Sequence, residues 1–184
     1  VSNTTSMYSM FLRSGQNANA FIISNLSNWD TSNVTNMYAM FSDTGHNSTS
    51  FILGNLSNWD TSKVRNMGYM FGEAGSNATT WSIGNLSNWD TSNVTGMSSM
   101  FLRAGQRATS FNIGDISNWN TTKVKSMSLM FADAGQSATL FDIGSLSNWD
   151  VSNVTNMYSM FDGAEGFAQN NGYTIAYYVE MYVN

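Results

Sequence analysis

The stretch Leu26-Ser-Asn-Trp-Asp-Thr-Ser-Asn-Val-Thr-Asn-Met-Tyr-Ala-Met-Phe41 decides the reading of this chain. It returns nearly letter for letter at Leu56 to Phe71, Leu86 to Phe101, Ile116 to Phe131 and Leu146 to Phe161, with a period of 30 residues and no slip. A degenerate half copy, Val1 to Phe11, comes first. Self-similarity at a fixed period marks a repeat array, in which each unit is too small to bury its own apolar face and stacking builds the core.

Working outward from that stretch gives the unit. Phe21 and Ile23 alternate with small polar residues, as do Phe51/Leu53, Trp81/Ile83, Phe111/Ile113 and Phe141/Ile143. A period of two predicts a strand over residues 20 to 28, with Gly54, Gly84 and Gly114 marking a bend. Asp30-Thr31-Ser32-Asn33 is a run of cap and turn formers. Val34, Met37, Met40 and Phe41 then follow at i, i+3, i+6 and i+7, which predicts a helix over residues 33 to 43. Gly45 and its counterparts sit where a left-handed residue ends a helix. Residues 44 to 50 form the return loop.

The expected fold is therefore an α/β repeat solenoid of β–turn–α–loop units. Parallel strands stack about 4.8 Å apart, whereas helices approach no closer than about 8–10 Å. That disagreement predicts a leucine-rich-repeat-like arc, strands on the inner face and helices outside. Residues 1–166 make up this array. Residues 167–184 depart from it: Tyr173, Ile175, Tyr177, Val179, Met181 and Val183 alternate as a strand, read as a cap or, alternatively, as an assembly strand that pairs with another molecule.

Composition excludes several classes. Charged residues are 10 % of the chain against about 25 % in typical domains, so neutral Ser, Thr, Asn and Gly must build the surface. A net charge of -5 and only seven Lys and Arg leave no basic stripe for a phosphate backbone, so nucleic acid is not an expected partner. There is no Cys and no Pro, which excludes disulfides and thiolate metal sites. No apolar run reaches the roughly 18 residues of a membrane span, so the chain is not expected to span one, and no signal peptide is visible. Val1 aligns with Thr31, in the middle of a repeat, so the chain reads as a segment of something longer.

The string Leu-Ser-Asn-Trp-Asp-Thr-Ser-Asn-Val-Thr-Asn-Met, followed by Met-Phe, resembles the repeats of BspA-type leucine-rich-repeat bacterial surface proteins. The resemblance covers residues 1 to about 166. It implies a secreted, surface-exposed protein of adhesive or host-interaction type with a leucine-rich-repeat-like fold. One departure is that many such repeats are shorter than this 30-residue unit.

Asp30, Asp60, Asp90 and Asp150 form a column broken by Asn120; capping of the following helix accounts for it better than calcium, since each place offers one carboxylate. His46, the single histidine, reads as a surface residue with Gln16, Ser76, Gln106 and Gln136 as counterparts. One His and no Cys leave zinc sites and Ser-His or Cys-His catalysis without parts, so no catalytic residue, metal or cofactor is expected. Arg13, Asp43, Glu73, Arg103 and Asp133 share one register position and alternate in sign at all steps but Asp43 to Glu73. Of the N-x-Ser/Thr sequons, Asn47 and Asn77 in the return loop are the best glycosylation candidates. Ice binding by the Thr columns is disfavoured by the expected curvature.

What remains is a repeated polar face: Asn25, Asn55, Asn85 and Asp115, with Ser27, Ser57, Ser87 and Ser117. A binder of one specific protein needs varied side chains and aromatic anchors; uniform columns suit a repetitive ligand. The expectation is a non-enzymatic cell-surface or extracellular module, adhesin-like, that binds a matrix protein or glycan. The alternative is a structural subunit of a self-assembling filament whose partners are copies of itself, joined head-to-tail through the terminal strand.

Overall fold

The alternating pattern at Phe21 and its counterparts does form a short strand in every repeat of the computed structural model, which describes residues 3–164. The strands are β1 (Ala20–Ile23), β2 (Ser50–Leu53), β3 (Thr80–Ser82), β4 (Ser110–Asn112) and β5 (Leu140–Asp142). They pair in parallel, β1-β2-β3 in one sheet and β4-β5 in another. The register is one full repeat, Phe21 opposite Phe51 and Phe51 opposite Trp81. A second parallel column of single bridges runs from Ser6 through Asn36, Asn66, Gly96 and Ser126 to Asn156.

The expected α/β arc with outer helices is not what these residues build. Among the described residues there is no α-helix; the one helical element is a single 3-10 turn, Leu26–Asn28. Residues 33 to 43 instead hydrogen-bond across repeats. The amides of Met37, Ala39, Phe41 and Asp43 donate to the carbonyls of Asn66, Gly68, Met70 and Gly72, at 2.7–2.9 Å. Between them, Met40, Ser42 and Thr44 close tight turns onto Met37, Ala39 and Phe41 at 3.2 Å. Overlapping turns that close two residues apart still bring Val34, Met37, Met40 and Phe41 to the buried side. The spacing of Val34, Met37, Met40 and Phe41 was therefore real, and its cause was misread.

The helix is rejected for the reason that made it awkward in the sequence. Strand-type pairing fixes one spacing of about 4.8 Å for the whole coil, and a helix cannot stack that closely. Turns can, because they leave alternate amides free to bond to the next coil. The cost shows in the backbone: Ala39 and Asp43 sit at φ 53° and 55°, and Tyr69, Glu73, Ser99, Arg103, Leu129 and Asp133 repeat this. Left-handed backbone costs a non-glycine residue about 1–2 kcal/mol, and the cross-coil bonds offset it. Without helices, the argument for a curved arc lapses.

The core is a set of like-on-like columns. Phe11, Phe41, Phe71, Phe101, Phe131 and Phe161 stack with ring centroids 5.1–5.6 Å apart and planes within 8°. Trp29, Trp59, Trp89, Trp119 and Trp149 stack at 6.2–6.4 Å. From Trp59 to Trp149 each indole N–H of the column donates to the previous coil, Trp59 Nε1 to the Leu26 carbonyl at 2.8 Å and Trp89 Nε1 to that of Leu56 at 3.0 Å. Met37, Met40, Met67, Met70, Val34 and Val64 are fully buried beside them. Thr31, Thr61, Thr91 and Thr121, also buried, donate to the carbonyls of Asp60, Asp90, Asn120 and Asp150 at 2.9–3.1 Å. Gly105 shows how tightly coils meet: at φ +50°, a Cβ there would lie 2.7 Å from the Trp81 ring. The tail from Tyr173 to Val183, expected as a cap or assembly strand, lies outside the described residues.

Phe71 lies sandwiched between Phe41 and Phe101, whereas Phe11 is only partly buried and stacks within its column on Phe41 alone. Phe71→Ala is expected to cost about 3–5 kcal/mol and Phe11→Ala clearly less in denaturant unfolding. Equal losses would contradict stacking as the source of stability.

Candidate functional site

The bend after each strand opens onto a surface made by positions 25, 28 and 30 of the unit. Gly84, Gly114 and Gly144 turn the chain there with φ of 76–84°. A Cβ on Gly144 would collide with the Asp115 carboxylate, so the glycine lets the neighbouring coil's side chain pass over the backbone. The expected interaction residues are on this surface: Asn25, Asn55, Asn85, Asp115 and Ser145 are exposed, and Ser27, Ser57, Ser87 and Ser117 are half-buried. Most of the first set also hold the turn. Asn55, Asn85 and Asp115 accept from the amides of Ser57, Ser87 and Ser117 at 2.8–2.9 Å.

The aspartate column does a similar job two residues on. Asp30 accepts from the Ser32 hydroxyl at 2.6 Å and amide at 3.1 Å, and Asp60 from Ser62 at 2.6 and 3.0 Å. Asn120 does the same for Thr122, at 2.7 and 3.1 Å, which explains why the amide is accepted in the column. The capping chemistry was read correctly from the sequence, but what is capped is a turn and not a helix. The serine hydroxyl, then the amide, holds the carboxyls of Asp30, Asp60 and Asp150 below their ordinary value; for Asp115 the Ser117 amide leads.

One column was missed. Asn28, Asn58, Asn88, Asn118 and Asn148 are identical in every full repeat and exposed. Among the described residues no hydrogen bond engages their side chains, unlike those of the aspartate and buried threonine columns. The signal was present in the sequence, as an asparagine fixed before each tryptophan of the column from Trp29 to Trp149. Two of these amides, Asn118 and Asn148, line a cleft of about 320 Å³ between adjacent coils, together with Ser117, Trp119, Asn120, Thr121, Thr122 and Asp150. A primary amide offers two donors and an acceptor, so the face presents the hydrogen-bonding inventory that hydroxyl-rich molecules match.

The return turn carries the other expected residues. Asn47 Nδ2 donates to Asn17 Oδ1 at 3.1 Å and Asn77 Nδ2 to Asn47 Oδ1 at 3.0 Å, so both sequon asparagines sit in an amide ladder. The charge column forms as its alternation suggested: Arg13 to Asp43 at 3.4 Å, Arg103 to Glu73 at 3.9 Å and Arg103 to Asp133 at 3.3 Å. His46 is drawn into it, 2.8 Å from Asp43 three residues earlier and 3.8 Å from Glu73 in the next coil, the second a contact that spacing along one repeat does not disclose. No described helix is long and apolar enough to cross a membrane.

A carboxyl with a lowered folded pKa contributes stability that is present above its ordinary value, 3.8 for aspartate, and lost as pH falls through the folded value. Melting temperature is therefore expected to drop as the protein is acidified below about pH 4. Asp60→Asn with Asp150→Asn, each an exchange that Asn120 shows the turn accepts, should flatten that acid limb. An unchanged pH profile would show that these turns do not set it.

A family model described as "Mycoplasma protein of unknown function, DUF285" matches residues 1–83 and 46–173. No curated protein and no solved structure matches the chain.

Proposed function

The chain belongs to the DUF285 family, that of the BspA-like surface repeat proteins, and on that premise we propose that it is a non-enzymatic repeat module that binds a repetitive, hydroxyl-rich ligand, a glycan, outside the cell. The observation that carries this is the column Asn28, Asn58, Asn88, Asn118 and Asn148, the same exposed amide in every coil without a hydrogen-bonding duty among the described residues. Buried phenylalanines, methionines and threonines repeat because the core demands it. Asp30 and Asn55 repeat because the turns demand it. A repeated side chain on which neither demand falls is explained by a partner that repeats as well.

The neighbouring columns fit the same role. Asn25, Asn55, Asn85 and Asp115 keep one face of the amide or carboxylate outward, and the cleft between Asn118 and Asn148 has the tryptophan edge and polar rim that orient a ligand by a few placed groups. The filament reading differs in its partner, a second copy of the chain.

The test is binding of the full chain to immobilised polysaccharides, beside the triple variant Asn88→Ala, Asn118→Ala, Asn148→Ala. Loss of three amide contacts at about 0.5–1.5 kcal/mol each should weaken binding at least tenfold, with the melting temperature unchanged. Equal binding by the variant, or no polysaccharide bound by the parent, overturns the reading. Filaments of the full chain by electron microscopy, with no polysaccharide bound, would favour the self-assembling alternative.

A further inference from the structure

The return turn holds the one step at which the charge column fails to alternate. Arg13 faces Asp43, and Arg103 lies between Glu73 and Asp133, but Asp43 and Glu73 are adjacent carboxylates. The single histidine of the chain is placed at that step and nowhere else, where other coils carry Gln16, Ser76, Gln106 and Gln136. Its Nδ1 is 2.8 Å from Asp43 Oδ1 and 3.8 Å from Glu73 Oε2. The three donor atoms all lie within 4.8 Å of one another.

The surroundings orient the two carboxylates. Arg13 and the Gln16 amide both engage Asp43 through Oδ2, the oxygen turned away from the imidazole. Arg103 engages Glu73 through Oε1, at 3.9 Å. Each carboxylate thus has its far oxygen held and its near oxygen directed at Nδ1, an arrangement typical of outer groups that orient metal ligands. Ser76, only 4 % exposed, points its hydroxyl at the same nitrogen from 3.3 Å, with no other partner for that oxygen among the described residues. The backbone beneath is fixed by cross-coil bonds from the Asp43 amide to Gly72 at 2.7 Å and from the Glu73 amide to Leu102 at 2.6 Å.

We propose that Asp43, His46 and Glu73 form a binding site for a divalent first-row transition-metal ion of the zinc type, shared between two adjacent coils. One imidazole nitrogen and two carboxylate oxygens are ligands such an ion takes, at about 2.0–2.2 Å. Ligand atoms at that radius lie about 3–3.4 Å apart, so side-chain rotations of about 1 Å or less close the set. Water completes the coordination, since the three side chains are only partly buried. The ion sits at the one step of the column where two carboxylates are neighbours, and a hard, oxygen-seeking cation such as calcium would leave the imidazole nitrogen unused.

The experiment is calorimetric titration of the metal-free full chain with zinc chloride near neutral pH, together with cobalt absorption spectra. One equivalent of zinc should bind, and cobalt should develop ligand-field bands that report nitrogen coordination. His46→Gln introduces the residue that three equivalent positions already carry, so the metal-free variant should keep its melting temperature. It should weaken zinc binding by at least about tenfold, the smallest loss that even an outer-shell change brings, and abolish the cobalt bands. Glu73→Gln should weaken zinc binding by a similar factor. Absence of one-equivalent binding by the parent, or zinc affinity unchanged in His46→Gln, overturns the proposal.

Discussion

Everything in this structure follows from the hydrogen bond between residue n of one coil and the residue 29 to 31 places further on. The strand pairs Phe21–Phe51 and Phe51–Trp81, the bridge column from Ser6 to Asn156 and the amides of Met37 to Asp43 all obey that register. Parallel pairing brings one coil to about 4.8 Å from the next along its whole circumference. No part of the unit can then be thicker than a single extended or turning chain. The flat aromatic rings suit that limit, since offset-stacked rings keep nearly the same distance as the backbone beneath them.

The period, the core and the uniformity of the polar columns were legible in the sequence because they are properties of one repeat read down the page. Phe41, Met37 and Trp29 had to be inside, and Asp30 had to cap something. The helix was not legible. Its two usual signatures, a three-to-four spacing and a terminal glycine, are also produced by successive three-residue turns ending at Gly45, and propensity does not separate them. Only the left-handed Ala39 and Asp43 do, and neither residue type announces that conformation.

The candidate sites divide along the same line. The face of Asn25 and Asn28 was legible in outline, since it repeats, although the Asn28 column was passed over beside the more conspicuous tryptophan. The grouping of Asp43, His46 and Glu73 was legible only in part, because His46 lies three residues from Asp43 in its own repeat whereas Glu73, 27 residues further on, meets them only through stacking. A histidine with one ligand partner within its own repeat gains a second in the assembled coils. The molecule therefore carries two kinds of surface: a regular one, on which every coil says the same thing, and an irregular one, on which a single step differs.

That irregularity matters for how such a chain finds its own alignment. A coil that paired one full repeat out of place would recover nearly every contact, since tryptophan would still meet tryptophan and threonine the same carbonyl. Regularity by itself therefore leaves a 30-residue ambiguity of frame. The few positions that break it act as addresses. Trp81 replaces phenylalanine in its column and finds its indole partner at the Ala74 carbonyl, 3.0 Å away in the adjoining turn. Asn120 interrupts the aspartates, and a shift by one coil would set Glu73 against Asp133 where it now meets Arg103. A sequence made wholly uniform would keep its contacts and lose its numbering.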